Sequence, residues 1–335
     1  MHRLKSRIIR EWDFNHKGWL LEAARFLAPE LLALTLWDES EGKPLLAIWP
    51  TEADSPSLLL DLTQFKGHPQ VCLWHQQLTL LDETGLWIWD SLTEAQAQHY
   101  PFANPDVLSM TVEQQHFHFL PLQLCPLDDN QLLLRMSSPN TRKGRAISWL
   151  FIKEDHCHLV NRYKEPDEPE LADLKPGSPL WLEAIQVCNK KIFCLCQGQS
   201  APDTQDTILA EYKYGLPDSL LGKLSKMLGS GQEKDLLLQS SSLLAPGSAR
   251  FSDCGPQLWL SSRANKRFEC HSLAEEPSPF ELALTPAQNL GDIKPTKAQI
   301  SFMDNKLFLV HDKRRLNLCA IQASNPVSSL NKSTA

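Results

Sequence analysis

A chain of 335 residues with 42% hydrophobic and 22% charged side chains carries enough apolar matter for a packed core, which excludes an intrinsically disordered protein. Its formal net charge of -7 argues against generic wrapping of nucleic acid, which needs a basic surface to displace counterions, but leaves room for a local basic patch. The opening MHRLKSRIIREWDF has no apolar run of signal-peptide length, and no stretch reaches the roughly 18 apolar residues of a membrane-crossing helix. A cytoplasmic location without membrane attachment is therefore expected. The nine cysteines fit that compartment, since most sit in apolar, strand-like runs (Cys72, Cys125, Cys188, Cys194, Cys196 and Cys319) as small buried thiols do.

In chain order, RIIREWDF at 7–14 reads as a strand, and GWLLEAARF at 18–26 as a strand whose spacing equally fits a helix. From residue 30 one unit recurs six times: a polar residue, an alternating apolar run, a polar turn and a second apolar run. The copies are ELLALTLWDESEGKPLLAIW from 30, QLTLLDETGLWIWD from 77, QLLLRMSSPNTRKGRAISWLFI from 131, KIFCLCQGQSAPDTQDTILAEY from 191, QLWLSSRANKRFECHSL from 257 and KLFLVHDKRRLNLCAI from 306. Such short alternating runs joined by Asp, Asn, Gly, Pro and Ser are β-hairpins.

Further runs precede several hairpins, at PQVCLW (69–74), WLEAIQVC (181–188) and AQISFM (298–303). Others follow them, at SLLLDL (57–62), HCHLVNRY (156–163), DLLLQS (235–240) and FELAL (280–284). Four antiparallel strands repeating every 47–66 residues is the spacing of propeller blades. The expected fold is an all-β propeller occupying residues 1–322, with six blades, or seven if a longer gap holds a degenerate one. No fourth strand follows the sixth hairpin, so the N-terminal strand is expected to close the ring, removing two exposed edges. Residues 323–335 read as a polar tail.

Two insertions stand out. GLPDSLLGKLSKMLGSG at 215–231 predicts a short helix at about 217–229, with Asp218 or Ser219 as cap and Leu220, Leu221, Leu224, Met227 and Leu228 on one face. EPDEPELAD at 165–173 reads as an acidic loop.

No G-x-S-x-G elbow or phosphate-binding loop occurs, so no catalytic residue is assigned. His116 with His118, His156 with His158, and Cys194 with Cys196 each share a strand face, but a metal needs about four converging ligands. Neither metal nor cofactor is expected. Of the ten tryptophans, Trp87 and Trp89 project from one strand in the same direction and are the pair best suited to serve a ligand.

In a propeller the turns inside the repeated hairpins lie on one face of the disc. Three carry bases: Arg142, Lys143 and Arg145; Arg263, Lys266 and Arg267; Lys313, Arg314 and Arg315. The other three carry acids: Asp38, Glu39 and Glu41; Asp82 and Glu83; Asp203 and Asp206. A basic sector opposite an acidic one can orient a charged protein partner, such as an acidic one.

The starts DDNQLLL, CGPQLWL and MDNKLFL, with DETGLWIWD, resemble divergent propeller repeats of the WD or quinoprotein kind. Neither signature is kept, and the resemblance implies no cofactor residues. The architecture is similar to stand-alone bacterial propellers that work beside a MoxR-type ATPase and a von Willebrand A-type protein. The expected function is a non-catalytic protein-interaction scaffold or adaptor. The rival is a hydrolase or small-ligand binder using the central channel, which clustered carboxylates or His116, His156 or His311 would favour. An apolar channel would favour the scaffold.

Overall fold

Strands such as LLALTLWD are apolar at nearly every position, so they need cover on both faces. The computed structural model of the chain meets that need by packing sheets face to face. It describes residues 2–92, 96–112, 115–137, 147–161, 181–198, 206–214, 236–244, 248–262, 267–274, 279–294 and 296–322. The helix expected at 217–229, the acidic loop at 165–173 and the tail at 323–335 lie outside the described residues.

Among the described residues the structure is all-β, of propeller type, with four separate four-stranded antiparallel sheets. After the edge strand β1 (His2–Asp13), the first sheet holds β2 (Trp19–Ala28), β3 (Leu31–Asp38), β4 (Lys43–Pro50) and β5 (Leu58–Asp61). The second holds β6 (Gln70–Trp74), β7 (Gln77–Leu81), β8 (Gly85–Trp89) and β9 (Gln98–Pro101). A small hairpin, β10 (Ser109–Val112) and β11 (Gln115–His118), intervenes. The third sheet holds β12 (Leu120–Pro126), β13 (Leu132–Ser137), β14 (Ile147–Lys153) and β15 (His156–Asn161). The fourth holds β16 (Trp181–Cys188), β17 (Lys191–Gly198), β18 (Asp206–Tyr214) and β19 (Leu236–Leu243).

The remaining strands are β20 (Ser248–Phe251), β21 (Gln257–Ser262), β22 (Arg267–Ser272), β23 (Phe280–Ala283), β24 (Gln299–Phe302), β25 (Leu307–His311) and β26 (Arg315–Gln322). They join into one eight-stranded sheet through β1, in the order β20-β21-β22-β23-β1-β26-β25-β24. Residues 5–13 of β1 run antiparallel to β26, from Lys5 opposite Gln322 to Asp13 opposite Arg315. Its first residues pair parallel with β23, His2 opposite Phe280. The expected pairing of the two chain ends is thus present, and β1 also bridges to the neighbouring sheet.

Alternation decides which neighbour each side chain meets. On β3, Leu32, Leu34 and Leu36 pack with Trp12, Phe14, Leu316 and Leu318 of β1, its flank and β26. The intervening Leu31 and Ala33 pack with Val71, Leu78, Leu80 and Trp89 of the second sheet. On β13, Leu132 and Leu134 join the core shared with the second sheet, while Leu133 joins the core shared with the fourth. Each fully buried leucine of this kind contributes about 1.5–3 kcal/mol.

Gly85, opposite Pro101, leaves no room for a side chain between β8 and β9. It sits at φ +153°, and a Cβ there would lie 2.2 Å from the Tyr100 carbonyl oxygen. Gly85→Ala is expected to cost about 2–4 kcal/mol through backbone strain and steric overlap. The measurement is a lowered urea midpoint at an unchanged m value.

Candidate functional site

The first strands of the sheets, β2, β6, β12, β16, β20 and β24, line one cavity of about 670 Å³. Each is the edge of its sheet, so its outward N–H and C=O groups lack a ladder partner. Polar side chains from the adjoining strand supply partners instead. Arg25 donates to the Val71 carbonyl. Trp74 Nε1 donates to the Asp128 carbonyl at 3.0 Å. Gln123 grips Ile185 twice, donating to its carbonyl at 2.8 Å and accepting from its N–H at 3.0 Å. Gln186 donates to the Gly255 carbonyl at 3.2 Å. Arg250 donates to Ile300 at 2.5 Å, and Ser301 to Ala24 at 2.7 Å. The cavity wall is therefore laced by side-chain bonds from strand to strand. Arg25, Gln123, Gln186 and Ser301, polar residues inside largely apolar first strands, were the sequence signal for this lacing.

Asp253 follows β20 and enters the same cavity. Its N–H donates to the Phe302 carbonyl at 2.7 Å, and its Oδ2 accepts from the Phe26 N–H at 2.8 Å. The carboxyl is open to the cavity, but the surrounding walls push its pKa up to about 6; the Phe26 N–H, Arg25 and Arg250 pull the other way. An acid raised above its unfolded value binds more protons in the folded state. That stabilising contribution is whole below about pH 4 and is lost as pH rises through about 6. Asp253→Asn keeps an acceptor for Phe26 and removes the charge. It is expected to melt above the parent at pH 8, with the gap closing towards pH 4; a gap independent of pH would contradict the assignment.

The cavity is neither apolar nor a cluster of carboxylates. Arg25, Arg250, Glu183 and Asp253 line it alongside Gln123, Gln186 and Ser301. Cys72, Cys125 and Cys254 also line it. Burial pushes Cys72 up, Cys125 up to about 11 and Cys254 up to about 12, so these thiols stay protonated at neutral pH. Neither His156 nor His311 lines this cavity. His311 is buried beside a second cavity of about 360 Å³ that shares Arg250 and Ser301 with the first. Burial lowers its pKa, and its Nδ1 has no hydrogen-bond partner. His156 is exposed on β15, and His116 lies on the β10–β11 hairpin. Among the described residues no group of three or more His, Cys, Asp or Glu could hold a metal ion. No helix among them is long and apolar enough to cross a membrane.

Trp87 and Trp89 do share a face, but it is a packing face. Trp89 is buried, both rings meet Phe65 edge-on, and Trp87 stacks on His99 with centroids 3.9 Å apart. Cys194 and Cys196 are likewise buried in the core between the third and fourth sheets.

The basic turn residues Arg142, Lys143, Arg145, Arg263 and Lys266 lie outside the described residues. Arg267 is at the start of β22, with its Nε 3.4 Å from Glu281. Arg314 pairs with Glu39 at 2.8 Å and donates to the Trp19 carbonyl at 3.2 Å. Arg315 lies 2.8 Å from Asp292. Lys313 is exposed, and its carbonyl accepts from Leu21.

The acids divide differently from a simple charged sector. Asp82 is 1% exposed and Asp38 9% exposed, so neither presents a free charge. Asp38 accepts from the N–H groups of Ser40 and Glu41, and Asp82 from those of Thr84 and Gly85. Asp312 does the same for Arg314 and Arg315 in a basic turn. These aspartates occupy equivalent positions and close their own turns. Of the other acids, Glu39 holds Arg314, Glu41 holds Lys43, and Glu83 lies 3.3 Å from His118.

No protein-family model matches the sequence, and no curated protein matches it. Among solved structures, a protein of unknown function from Dyadobacter fermentans is similar, with a TM-score of 0.51 at 9% identity, covering 95% of this chain and 100% of that one. An α-L-arabinanase from Penicillium chrysogenum, solved with arabinobiose, is similar over 95% of this chain and 98% of its own, at 10% identity and a TM-score of 0.49. The WD40 domain of SCAP from fission yeast is similar at 10% identity and a TM-score of 0.32, covering 96% and 92% of the two chains. At these identities the likeness is one of fold and carries no activity across. The propeller-type reading of the fold stands on the strand order itself.

Proposed function

We propose that the chain is a six-bladed propeller, closed by β1 as the outer strand of its last blade, that serves as a non-catalytic interaction scaffold or adaptor in a cytoplasmic protein complex. Acidic segments of a partner dock on its basic turns. The observation that carries this reading is the fixed rim between the last hairpin and the first sheet. Phe14 N–H donates to the Arg314 carbonyl and Leu21 N–H to the Lys313 carbonyl, both at 2.8 Å, and Arg314 clamps Glu39. A charged turn held this way loses little freedom on binding, which favours docking.

The test reverses basic turn residues other than Arg314. Lys313→Glu combined with Arg263→Glu and Lys266→Glu leaves the Arg314–Glu39 clamp intact. Purification of the tagged triple variant from the native host is expected to lose the partner, and the parent complex is expected to weaken with salt. Recovery of the same partners with the same salt response would overturn the docking surface.

A second reading, a small-ligand site in the central cavity, is favoured by Arg25 and Arg250. Both line the cavity, and neither has a carboxylate within ion-pair distance among the described residues.

A further inference from the structure

We propose that the central cavity binds a small molecule through a carboxylate or phosphate group held between Arg25 and Arg250, with Asp253 opposing the ligand's charge and so making capture stronger in acid. This inference rests on the second reading above and is independent of the docking surface.

Arg25 is on β2 and Arg250 on β20, and both are half-buried in the wall of the same cavity. Each anchors itself on one backbone carbonyl of the neighbouring strand. A guanidinium carries five N–H donors and stays charged in proteins, so one anchoring bond leaves donors for an oxyanion. The anchor also fixes the fork in place before a ligand arrives, which is the condition for bidentate recognition of carboxylate or phosphate. Burial disfavours the charged form of Arg250, and an incoming anion would relieve that cost. A volume of about 670 Å³ falls in the range of small-molecule sites, roughly 300–1,000 Å³.

Asp253 is the counterweight. It acts electrostatically on both arginines without reaching ion-pair distance to either, and only its Oδ2 holds a backbone N–H. The other ionisable groups lining the cavity are Glu183 on β16 and the thiols of Cys72, Cys125 and Cys254; Asp304 and Glu30 act on Cys254 from nearby. The thiols remain neutral across the relevant range, because burial raises all three. Ionised Asp253 repels an anion from the two guanidinium groups. Protonated Asp253 does not, and its O–H can donate to the ligand.

The experiment is titration calorimetry of the full chain with inorganic phosphate and, separately, with citrate, at pH 5 and pH 8. Saturable binding of at least one probe is expected; phosphate alone or citrate alone identifies the headgroup. Arg250→Gln and Arg25→Gln are each expected to weaken binding about tenfold or more, in line with loss of a charge-assisted contact. Asp253→Asn is expected to tighten binding at pH 8 by about threefold or more and to remove the part of the pH dependence that Asp253 contributes, leaving the part due to ionisation of the probe itself. Gain of affinity cannot come from misfolding, so this variant keeps the test decisive if an arginine variant fails to fold. Absence of saturable heat with both probes up to about 10 mM, where a site of about 1 mM would be filled, would overturn the proposal. So would unchanged affinity in Asp253→Asn at pH 8. Neither outcome bears on partner capture by the basic turns, so failure of one reading remains distinguishable from failure of the other.

Discussion

Removal of residues 2–13 is expected to abolish cooperative unfolding. The strand it deletes pairs with β26 along nearly all of that strand's length, from Gln322 back to Arg315, and with β23 at Phe280–Leu282. Its loss exposes two strand edges at once, each a row of unpaired N–H and C=O groups that invites association with other chains. It also takes Trp12, 8% exposed, from the core shared with Leu316, Leu318 and the first sheet. Ser6 goes as well, leaving Asn289 Nδ2, which donates to Ser6 Oγ at 2.8 Å, without that partner inside a buried site. Asn289 Nδ2 keeps a 3.3 Å bond to the Ala283 carbonyl, so the lost hydrogen bond adds about 0.5–1.5 kcal/mol to the packing loss. Together these terms rival the roughly 5–15 kcal/mol by which a typical domain is stable. Thermal melting followed by circular dichroism, with light scattering, is the measurement. The expected result is a broad transition with aggregation, partly reversed by a synthetic peptide of residues 1–14 added in trans. A sharp transition at the parent temperature would show that β1 is dispensable.

Trp259→Ala is expected to be severely destabilising. Trp259 is fully buried, stacks on Phe302 with centroids 3.8 Å apart and meets Phe280 edge-on at 5.6 Å. Phe302 in turn touches Phe268 and Phe308, so the indole is the centre of an aromatic cluster joining β21 and β22 to β24 and β25. Its Nε1 donates to Ser252 Oγ at 3.0 Å, and Ser252 is itself buried. Truncation of a buried Trp costs about 3–5 kcal/mol from lost transfer energy and the cavity left behind. Trp259→Phe keeps most of the stack but strands the Ser252 hydroxyl, so an intermediate loss of about 1–3 kcal/mol is expected. Urea denaturation of the three proteins would order them parent, Phe, Ala. A loss below about 1 kcal/mol for the alanine variant would mean that this aromatic cluster does not hold the two sets of strands together.

The sequence by itself determined the repeated strand pairs and how the chain ends meet. QLTLLDETGLWIWD and its five counterparts each supplied two strands that pair antiparallel, but strands such as β3, β7 and β25 are buried on both faces instead of in half-buried alternation, because a sheet packs against each side of them. The run at 7–14 paired with the last hairpin, as an unpaired final edge required. Local pattern was weaker for β9 and for the β10–β11 hairpin, whose sequences QHYP, SMTV and QHFH have little apolar alternation. The turn aspartates were legible as charges but not as caps, since Asp38, Asp82 and Asp312 differ from surface acids only in the N–H groups they face. Tertiary structure alone decided the central cavity. Arg25 and Arg250 are far apart in the chain, and Asp253 holds the N–H of Phe26 across 227 positions. Alternation states which side of a sheet a residue faces; which other sheet stands opposite depends on how the whole set of sheets packs, and that information is not local.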